Sequence, residues 1–291
     1  MNKRSGRADK GYGTLYIVST PIGNLEDITL RALKTLKSVD LIAAESVSHS
    51  KQLLRHYGIS TRLTGYNQHN RKKKGPELIR GLKSGSDIAL VSSAGTPAVS
   101  DPGALLINMA LAESVNVTPI PGPSAVIAAL SVSGLKMDRF LFLGFLSNRS
   151  GKRRKELRKV MGESRTMVFY EAPHRIKSML EDLQEIMGDR DVVIVRELTK
   201  MYEEIIRGSV SAILMGMGTG KIKGEITIVV AGKEDAGDKR SLDTMTKKKI
   251  ERLLKQEKMG VKAIATQLSE EQGLPYRVVY RECLKIKKGN D

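Results

Sequence analysis

The sequence contains one cysteine, no tryptophan, and aromatic residues at only 4% of the chain. The lone Cys283 has no disulfide partner and no neighbour at a metal-ligand spacing, which excludes zinc knuckles and iron–sulfur clusters. The four histidines are scattered as well, so we expect no metal. The scarcity of aromatic residues disfavours a protein that binds single strands by stacking bases on aromatic side chains.

Long apolar runs are also missing. No stretch approaches 18 consecutive apolar residues, and residues 1–10 are polar and basic. A membrane span needs such a stretch, and a secretory signal needs an apolar segment near the N-terminus. We therefore expect a cytoplasmic protein with no membrane partner.

Acidic residues are too few to balance the basic ones. Lys and Arg total 49 against 32 Asp and Glu, so the formal net charge is +17. This excess predicts a polyanionic partner, with nucleic acid first and an anionic membrane second. The cations cluster in residues 3–10, 71–74, 149–159 and the tail beyond Asp238. Each cluster alone is equally compatible with a solvated surface, but together they favour one phosphate-binding surface.

The hydrophobic pattern of the first half predicts an α/β fold. Short β-branched runs alternate with amphipathic stretches, which is typical of helices surrounding a mainly parallel sheet. We predict strands at residues 15–18, 39–44, 88–91 and 115–120, and helices at 26–37, 49–57, 76–83 and 124–133. Residues 66–74 are predicted to form a polar loop, and Asp101 to cap a helix that begins at Pro102.

The second half is richer in predicted strands. They fall at residues 139–145, 166–170, 192–196, 203–207 and 226–231, with helices at 152–161 and 173–187. This spacing predicts a second, partly antiparallel sheet. A polar linker at 232–240 precedes three short helices broken at Gly260 and at residues 273–275. With twice as many cations as acids, this tail resembles a helix-turn-helix module that binds nucleic acid. The alternative is a helical cap on the body of the protein.

Three loops rich in glycine and proline follow predicted strands, at residues 20–25, 94–97 and 121–124. Ligands of such sheets bind at the carboxyl ends of the strands. None of the loops has the Gly-x-Gly-x-x-Gly fingerprint, which disfavours a nicotinamide enzyme. Together they suit a nucleoside-type cofactor that needs close backbone approach.

Five ordered motifs resemble the ribosomal RNA small-subunit methyltransferase I family, a branch of the tetrapyrrole methylase superfamily. They are VSTPIGNL at 18–25, AGTP at 94–97 with DPG at 101–103, PGPS at 121–124, FYEAPHR at 169–175 and RELTK at 196–200. The resemblance implies an α/β, two-domain tetrapyrrole-methylase-like fold with a small C-terminal helical module. We divide the chain into a basic extension (1–13), two α/β domains (14–124 and 125–233) and the helical module (240–288).

The resemblance also implies an activity. Members of the family use S-adenosylmethionine, held in the cleft between the two domains, to methylate the ribose 2′-oxygen of a cytidine in the decoding region of small-subunit ribosomal RNA. It implies the 30S subunit as partner and a homodimer. Carried over by position, the cofactor-binding residues are Pro21, Ile22, Gly95, Thr96, Val99, Ser124, Ala125, Tyr170, Glu197 and Glu225. Thr96 stands where the superfamily often has Asp.

The sequence departs from the family pattern at clustered positions. Glu-Asp-Thr-Arg appears here as Glu45-Ser46-Val47-Ser48, and Ser-Asp-Ala as Ser92-Ser93-Ala94. His-x-His-Asn-Glu appears as Asn67-Gln68-His69-Asn70-Arg71. A ribose hydroxyl must lose its proton during attack, so a nearby proton acceptor helps. Glu45, His69 and Asn70 remain and are the candidate catalytic residues.

The departures leave three functional hypotheses open. The main one is retained methylation of ribosomal RNA. The alternatives are a methylase with a shifted substrate and a catalytically impaired, ribosome-associated protein that binds RNA. A methylase of small tetrapyrroles is disfavoured, because a porphyrin substrate does not require such an excess of cations.

Overall fold

The computed structural model describes residues 11–218, 222–233, 242–256, 259–274 and 276–288. The chain forms two compact units, one of Met1–Val160 with Thr166–Ala231 and one of Met161–Arg165 with Gly232–Asp291. The basic segment at residues 1–10 and most of the predicted linker lie outside the described residues. Within the described part, no helix is long and apolar enough to cross a membrane.

The first sheet lies in the first unit and is entirely parallel. Its strands have the order β3-β2-β4-β1-β5. Apolar residues of α1 and α2 cover one face, and those of α3 and α4 cover the other. The elements are β1 (Thr14–Val18), α1 (Leu30–Ser38), β2 (Leu41–Ala44), α2 (Val47–His56), β3 (Leu63–Gly65), α3 (Arg71–Lys83), β4 (Ile88–Val91), α4 (Ala104–Ala112) and β5 (Asn116–Ile120). The predicted parallel sheet is confirmed.

The second sheet belongs to the same unit and is mixed. Its order is β6-β7-β10-β8-β9, with β6 and β7 parallel and the other pairs antiparallel, which confirms the predicted partly antiparallel sheet. Helix α5 packs on one face, whereas α6, α7 and α8 pack on the other. The elements are α5 (Ala125–Ser133), β6 (Phe140–Phe145), α6 (Ser150–Lys159), β7 (Thr166–Glu171), α7 (Ile176–Met187), β8 (Asp191–Arg196), β9 (Glu204–Ser209), α8 (Val210–Gly216) and β10 (Ile226–Val230).

Helix α3 begins earlier than predicted. Residues 66–74 were expected to form a loop, but Asn67 and Asn70 make a tight turn in which each side chain accepts a hydrogen bond from the backbone amide of the other, at 3.2 and 2.8 Å. This turn starts the helix at Arg71, five residues before Pro76. The helix tolerates the missing amide hydrogen of Pro76 at the cost of one backbone bond.

The predicted cap of α4 is wrong. The helix begins at Ala104 with Gly103 at the N-cap, and no side chain supplies a capping bond. The chain folds back before the helix starts, so that a Cβ on Gly103 would lie 3.0 Å from the amide nitrogen of Ala98. Asp101 is therefore left free to face the first unit's cavity described below.

The second unit contains α9 (Thr244–Lys255), α10 (Val261–Gln272) and α11 (Tyr276–Lys288). They share a core that includes Ile250, Leu268 and the buried Cys283. The Asp243 side chain accepts a 2.6 Å bond from the Thr246 amide and caps α9. The three predicted short helices are confirmed, and their helix-turn-helix role stays a prediction.

Helix α6 carries the cationic segment 149–159, but not all of its cations face solvent. Arg153 is 3% exposed, and its Nε donates a 2.7 Å bond to the equally buried Asp182 of α7. Arg154 contacts the other Asp182 oxygen at 2.6 Å. The exposed cations are Arg149, Lys152, Lys155, Arg158 and Lys159. Arg153 and Arg154, two of the seven cations that were expected to contact phosphates, thus form ion pairs within the protein.

We predict that Asp182→Asn destabilises the first unit by about 3–5 kcal/mol, because it leaves Arg153 buried without a countercharge. The loss should be measured as a lower urea midpoint. Glu185→Gln is the matched control, since Glu185 pairs with Arg154 but is half exposed. That change should cost less than about 1 kcal/mol. Equal effects of the two variants would contradict the role of the buried pair.

Candidate functional site

The three glycine- and proline-rich loops meet at one edge of the first sheet. They follow β1, β4 and β5, which are adjacent and parallel. Thr20 and Gly95 exchange backbone hydrogen bonds of 2.9 and 3.0 Å. The third loop approaches so closely that a Cβ on Gly122 would lie 2.9 Å from the Cβ of Ser19. The predicted meeting of these loops is confirmed.

A cavity of about 460 Å³ opens at this edge, within the first unit. Its wall combines the loops after β1, β2, β4 and β5 with residues of β6, β7, β8 and β10 from the second sheet. Of the residues named from sequence, those in its wall are Ile22, Glu45, Gly95, Thr96, Val99, Ser124, Ala125, Tyr170 and Glu225. The size and mixed polarity are those of a site for a drug-sized molecule.

Two predicted cofactor residues lie next to the wall. Pro21 is buried in the loop that presents Ile22. The Glu197 carboxylate accepts a 2.9 Å bond from the Glu225 amide and a 2.8 Å bond from Lys200 Nζ. The Lys200 bond lowers the pKa of Glu197. Glu197 therefore holds the turn that brings Glu225 to the cavity.

Two predicted catalytic residues lie outside the wall. His69 is exposed in the turn between β3 and α3. The side-chain nitrogen of Asn70 donates to the Gly65 carbonyl oxygen at 3.1 Å, and its side-chain oxygen accepts from the backbone amide of Asn67. Both polar ends of Asn70 thus hold the turn.

Glu45, the third predicted catalytic residue, is in the cavity wall. One of its oxygens accepts two bonds from Ser93, 2.9 Å from the amide and 2.8 Å from the hydroxyl. Ser93 occupies a position where the family pattern has Asp. A hydrogen-bond donor therefore stands beside Glu45 where a second carboxylate would repel it.

Tyr170 closes the cavity from the side of the second sheet. Its ring packs edge-on against Phe142 and lies 5.4 Å from the ring of Phe145, which also lines the cavity. Burial raises the pKa of Tyr170 to about 12, with a further contribution from the charge of Asp101. The phenol therefore remains protonated at neutral pH and can donate a hydrogen bond.

From the sequence, Asp101 was placed in a family motif and predicted to have a capping role, but it was not named as a site residue. It lies in the cavity wall, where burial and then the negative charge of Glu45 raise its pKa to about 6. The preceding backbone is strained, because Ala98 and Ser100 adopt φ values of 70° and 65°. Such strain is found at functional sites. The signal available in the sequence was the place of Asp101 shortly after a loop at a strand end.

Among the described residues, no group of three or more His, Cys, Asp or Glu side chains is arranged to hold a metal ion. The cavity wall instead combines carboxylates, hydroxyl groups and backbone groups with apolar side chains. It can bind a polar organic molecule and accept a proton from it.

We predict that Gly23→Ala pushes the loop after β1 away from residues 198–200. The new Cβ would lie 2.5 Å from Lys200 Cγ and 2.7 Å from the Leu198 carbonyl oxygen. Overpacking of this kind costs about 1–3 kcal/mol. The Asn24 amide, which donates a 3.0 Å bond to Thr199 Oγ1, should then exchange its hydrogen faster. Gly151→Ala, with open space around the added Cβ, is the control, and unchanged Asn24 exchange in Gly23→Ala would contradict the contact.

Comparison with known proteins places this geometry in a family. Residues 14–214 match the model for tetrapyrrole (corrin/porphyrin) methylases. The chain is 48% identical over 226 residues to ribosomal RNA small subunit methyltransferase I of Halalkalibacterium halodurans, covering 78% of both chains. It is 42% identical over 275 residues to the protein of the same name from Synechocystis, covering 94% of this chain and 98% of that relative.

A solved structure shows the same fold. Uroporphyrin-III C-methyl transferase from Thermus thermophilus, complexed with S-adenyl homocysteine, is 18% identical with a TM-score of 0.55. The match covers 75% of this chain and 97% of that one. The predicted two-sheet fold and the resemblance are confirmed, and the chain belongs to the ribosomal RNA small subunit methyltransferase I family of tetrapyrrole methylases.

Proposed function

We propose that this protein transfers a methyl group from S-adenosylmethionine to the ribose 2′-oxygen of a cytidine in the decoding region of small-subunit ribosomal RNA. The observation that carries the proposal is the cavity at the ends of β1, β4 and β5, with carboxylates in its wall. The names of the relatives support the enzyme class and the substrate class. The cytoplasm, where ribosomal subunits are present, is the proposed location.

The residues of the cavity fit S-adenosylmethionine. Ile22 and Val99 offer an apolar surface for the adenine ring, and Gly95, with a φ of 74°, lets the ligand approach the backbone without a Cβ in the way. The Glu45 carboxylate complements the positive charge of a sulfonium ion. When bound, S-adenosylmethionine supplies a methyl group that a nucleophile can attack. The chain's contribution is to hold the acceptor oxygen in line with it.

The exposed cations of α6 suit the RNA backbone. Ser150, the first residue of this helix, follows the cavity residue Phe145 by five positions, so the chain between them spans at most about 18 Å. Lys152, Lys155 and Lys159 are exposed there. We infer that they hold phosphates at the rim while the target ribose enters the cavity.

Nothing in the described residues or the relatives favours the alternative of a catalytically impaired RNA-binding protein. Two of the departures from the family pattern have structural uses in this chain. Ser46 caps α2 by accepting a 3.4 Å bond from the His49 amide, and Ser93 holds Glu45. Retained methylation is therefore the better proposal.

The proposal is tested with labelled S-adenosylmethionine and small ribosomal subunits that lack the modification. We expect label in the RNA, released by nuclease digestion as 2′-O-methylcytidine and identified by mass spectrometry. Label on uroporphyrinogen III rather than RNA would favour the tetrapyrrole alternative. Cofactor binding without transfer to either acceptor would support the impaired homologue.

We predict that the triple variant Lys152→Gln, Lys155→Gln, Lys159→Gln binds small-subunit RNA more weakly and with a shallower salt dependence. Each lost phosphate contact should reduce the log–log slope by about 0.7–0.9. Affinity for S-adenosylmethionine should not change, because these side chains are not in the cavity wall. The control is Arg31→Gln, Lys34→Gln, Lys37→Gln, which removes equal charge from the exposed face of α1. The same slope change in both variants would indicate a general charge effect.

We also propose a homodimer. Helices α4 and α5 consist mostly of apolar residues, yet Leu111 is 58% exposed and Ile127 56% exposed. Helices of this composition are ordinarily buried. A second copy of the chain is the proposed occupant, since the resemblance to the family implies a dimer.

Sedimentation equilibrium checks the dimer. Wild type should have twice the mass of the chain, and Leu111→Asp with Ile127→Asp should shift the equilibrium towards monomer. Leu30→Asp, at a position that is 86% exposed on α1, is the matched control. A monomeric wild type would contradict the proposal.

A further inference from the structure

Asp101 is the cavity residue whose environment differs most from what the sequence predicted. Its neighbours in the wall include Glu45 from the loop after β2 and Tyr170 from β7. Glu171 lines the same cavity but is paired with Arg175 at 3.0 Å. Asp101 and Glu45 are the two carboxylates that face the cavity from the first sheet.

The backbone that carries Asp101 is fixed from both sides. Gly103 packs against Ala98, and a Cβ on Gly144 of β6 would lie 2.9 Å from the Ser100 hydroxyl. Gly144 itself has a φ of 61° and sits at an irregularity in the pairing of β6 with β7. This close packing holds Ser100 in its left-handed conformation and fixes the position from which the Asp101 side chain leaves the loop.

The carboxylates of Glu45 and Asp101 have different hydrogen-bond partners. They therefore differ in how readily each can accept a proton. The oxygen of Glu45 nearest Ser93 already accepts two hydrogen bonds. The Asp101 carboxylate is half-buried beside the negative charge of Glu45, with the Ser92 side chain as an opposing influence, and its pKa of about 6 follows from that balance. A group with a pKa near the working pH is an efficient proton acceptor.

We propose that Asp101 accepts the proton of the hydroxyl group that is methylated, and that Glu45 maintains its basicity through its charge. The assignment rests on the proposed function. The oxygen–carbon bond forms while the carbon–sulfur bond breaks and leaves its electron pair on sulfur, which becomes a neutral thioether. The hydroxyl proton passes to the Asp101 carboxylate and from there to water, so that atoms and charge balance.

The other candidates are less suited to this step. His69 is exposed outside the cavity wall. The phenol of Tyr170, with its pKa raised to about 12, donates rather than accepts at neutral pH. Glu45 is in the wall, but Ser93 holds it, so its contribution is electrostatic.

The first test compares Asp101→Asn with wild type. Loss of a general base lowers the rate by about 10²–10⁴-fold, so kcat should fall by that factor. The Kd for S-adenosylmethionine and the KM for small subunits should stay within about twofold, and Asp101→Glu should restore part of kcat. Glu26→Gln, an exposed carboxylate outside the cavity wall, is the control and should leave kcat unchanged.

The second test uses pH. Since only the carboxylate accepts a proton, kcat of wild type should rise with pH through the pKa of Asp101, near 6, and then level off. Glu45→Gln removes the neighbouring negative charge, so the inflection should move to lower pH. In the protein without substrate, a carbon-13 NMR titration of the Asp101 carboxyl group should show that Glu45→Gln lowers its pKa in the same way.

The outcomes separate the two proposals. If wild type methylates small subunits and Asp101→Asn retains kcat within threefold, or loses only cofactor affinity, the assignment is wrong. If Asp101→Asn fails to fold, the pKa of Asp101 in Glu45→Gln decides. An unchanged pKa overturns the assignment, and a lowered pKa supports it. A wild type that binds the cofactor but methylates no RNA overturns the proposed function, and the assignment falls with it.

Discussion

The paired backbone hydrogen bonds between Thr20 and Gly95 are the contact on which the site depends. They join the loops that follow β1 and β4 at the point where the parallel ladder ends. The same junction is reinforced by the 2.9 Å bond between the hydroxyls of Ser19 and Thr96. Because the first loop cannot move without the second, Ile22 and the residues after Gly95 keep a fixed separation. This part of the cavity wall is thus tied to the sheet, although it is made of loops.

Local patterns predicted the strands well, because a run of buried β-branched residues is visible within a few positions. The strand at residues 88–91 was found at the predicted place. Strand β3 was missed because it is three residues long and only partly buried. Helix α8 was missed as well, since its seven residues make only about two helical turns, too few for a periodic pattern to be recognised. The order of the second sheet depends on contacts between distant segments and could not be read from spacing.

The candidate site was predictable where a residue belongs to a loop at a strand end. Thr96 and Ser124 are of this kind and line the cavity. The bond between Glu45 and Ser93 joins positions 48 residues apart and exists because β2 and β4 are neighbours in the sheet. Asp101 was misjudged for a related reason. A capping role follows from local sequence, whereas its place in the wall follows from the fold of the 96–103 loop against β6.

The distribution of charge gives the basic composition a more specific meaning than the net value of +17. In α6 the buried Asp182 neutralises Arg153, so the helix can pack on α7 while its lysines stay at the surface. The cavity wall carries charges of the opposite sign, including the carboxylates of Glu45 and Asp101. Under the proposed function, phosphates would be attracted to the exposed lysines and repelled from the carboxylates of the cavity. A ribose hydroxyl is the part of an RNA backbone that such a field admits, because it is neutral until it gives up its proton.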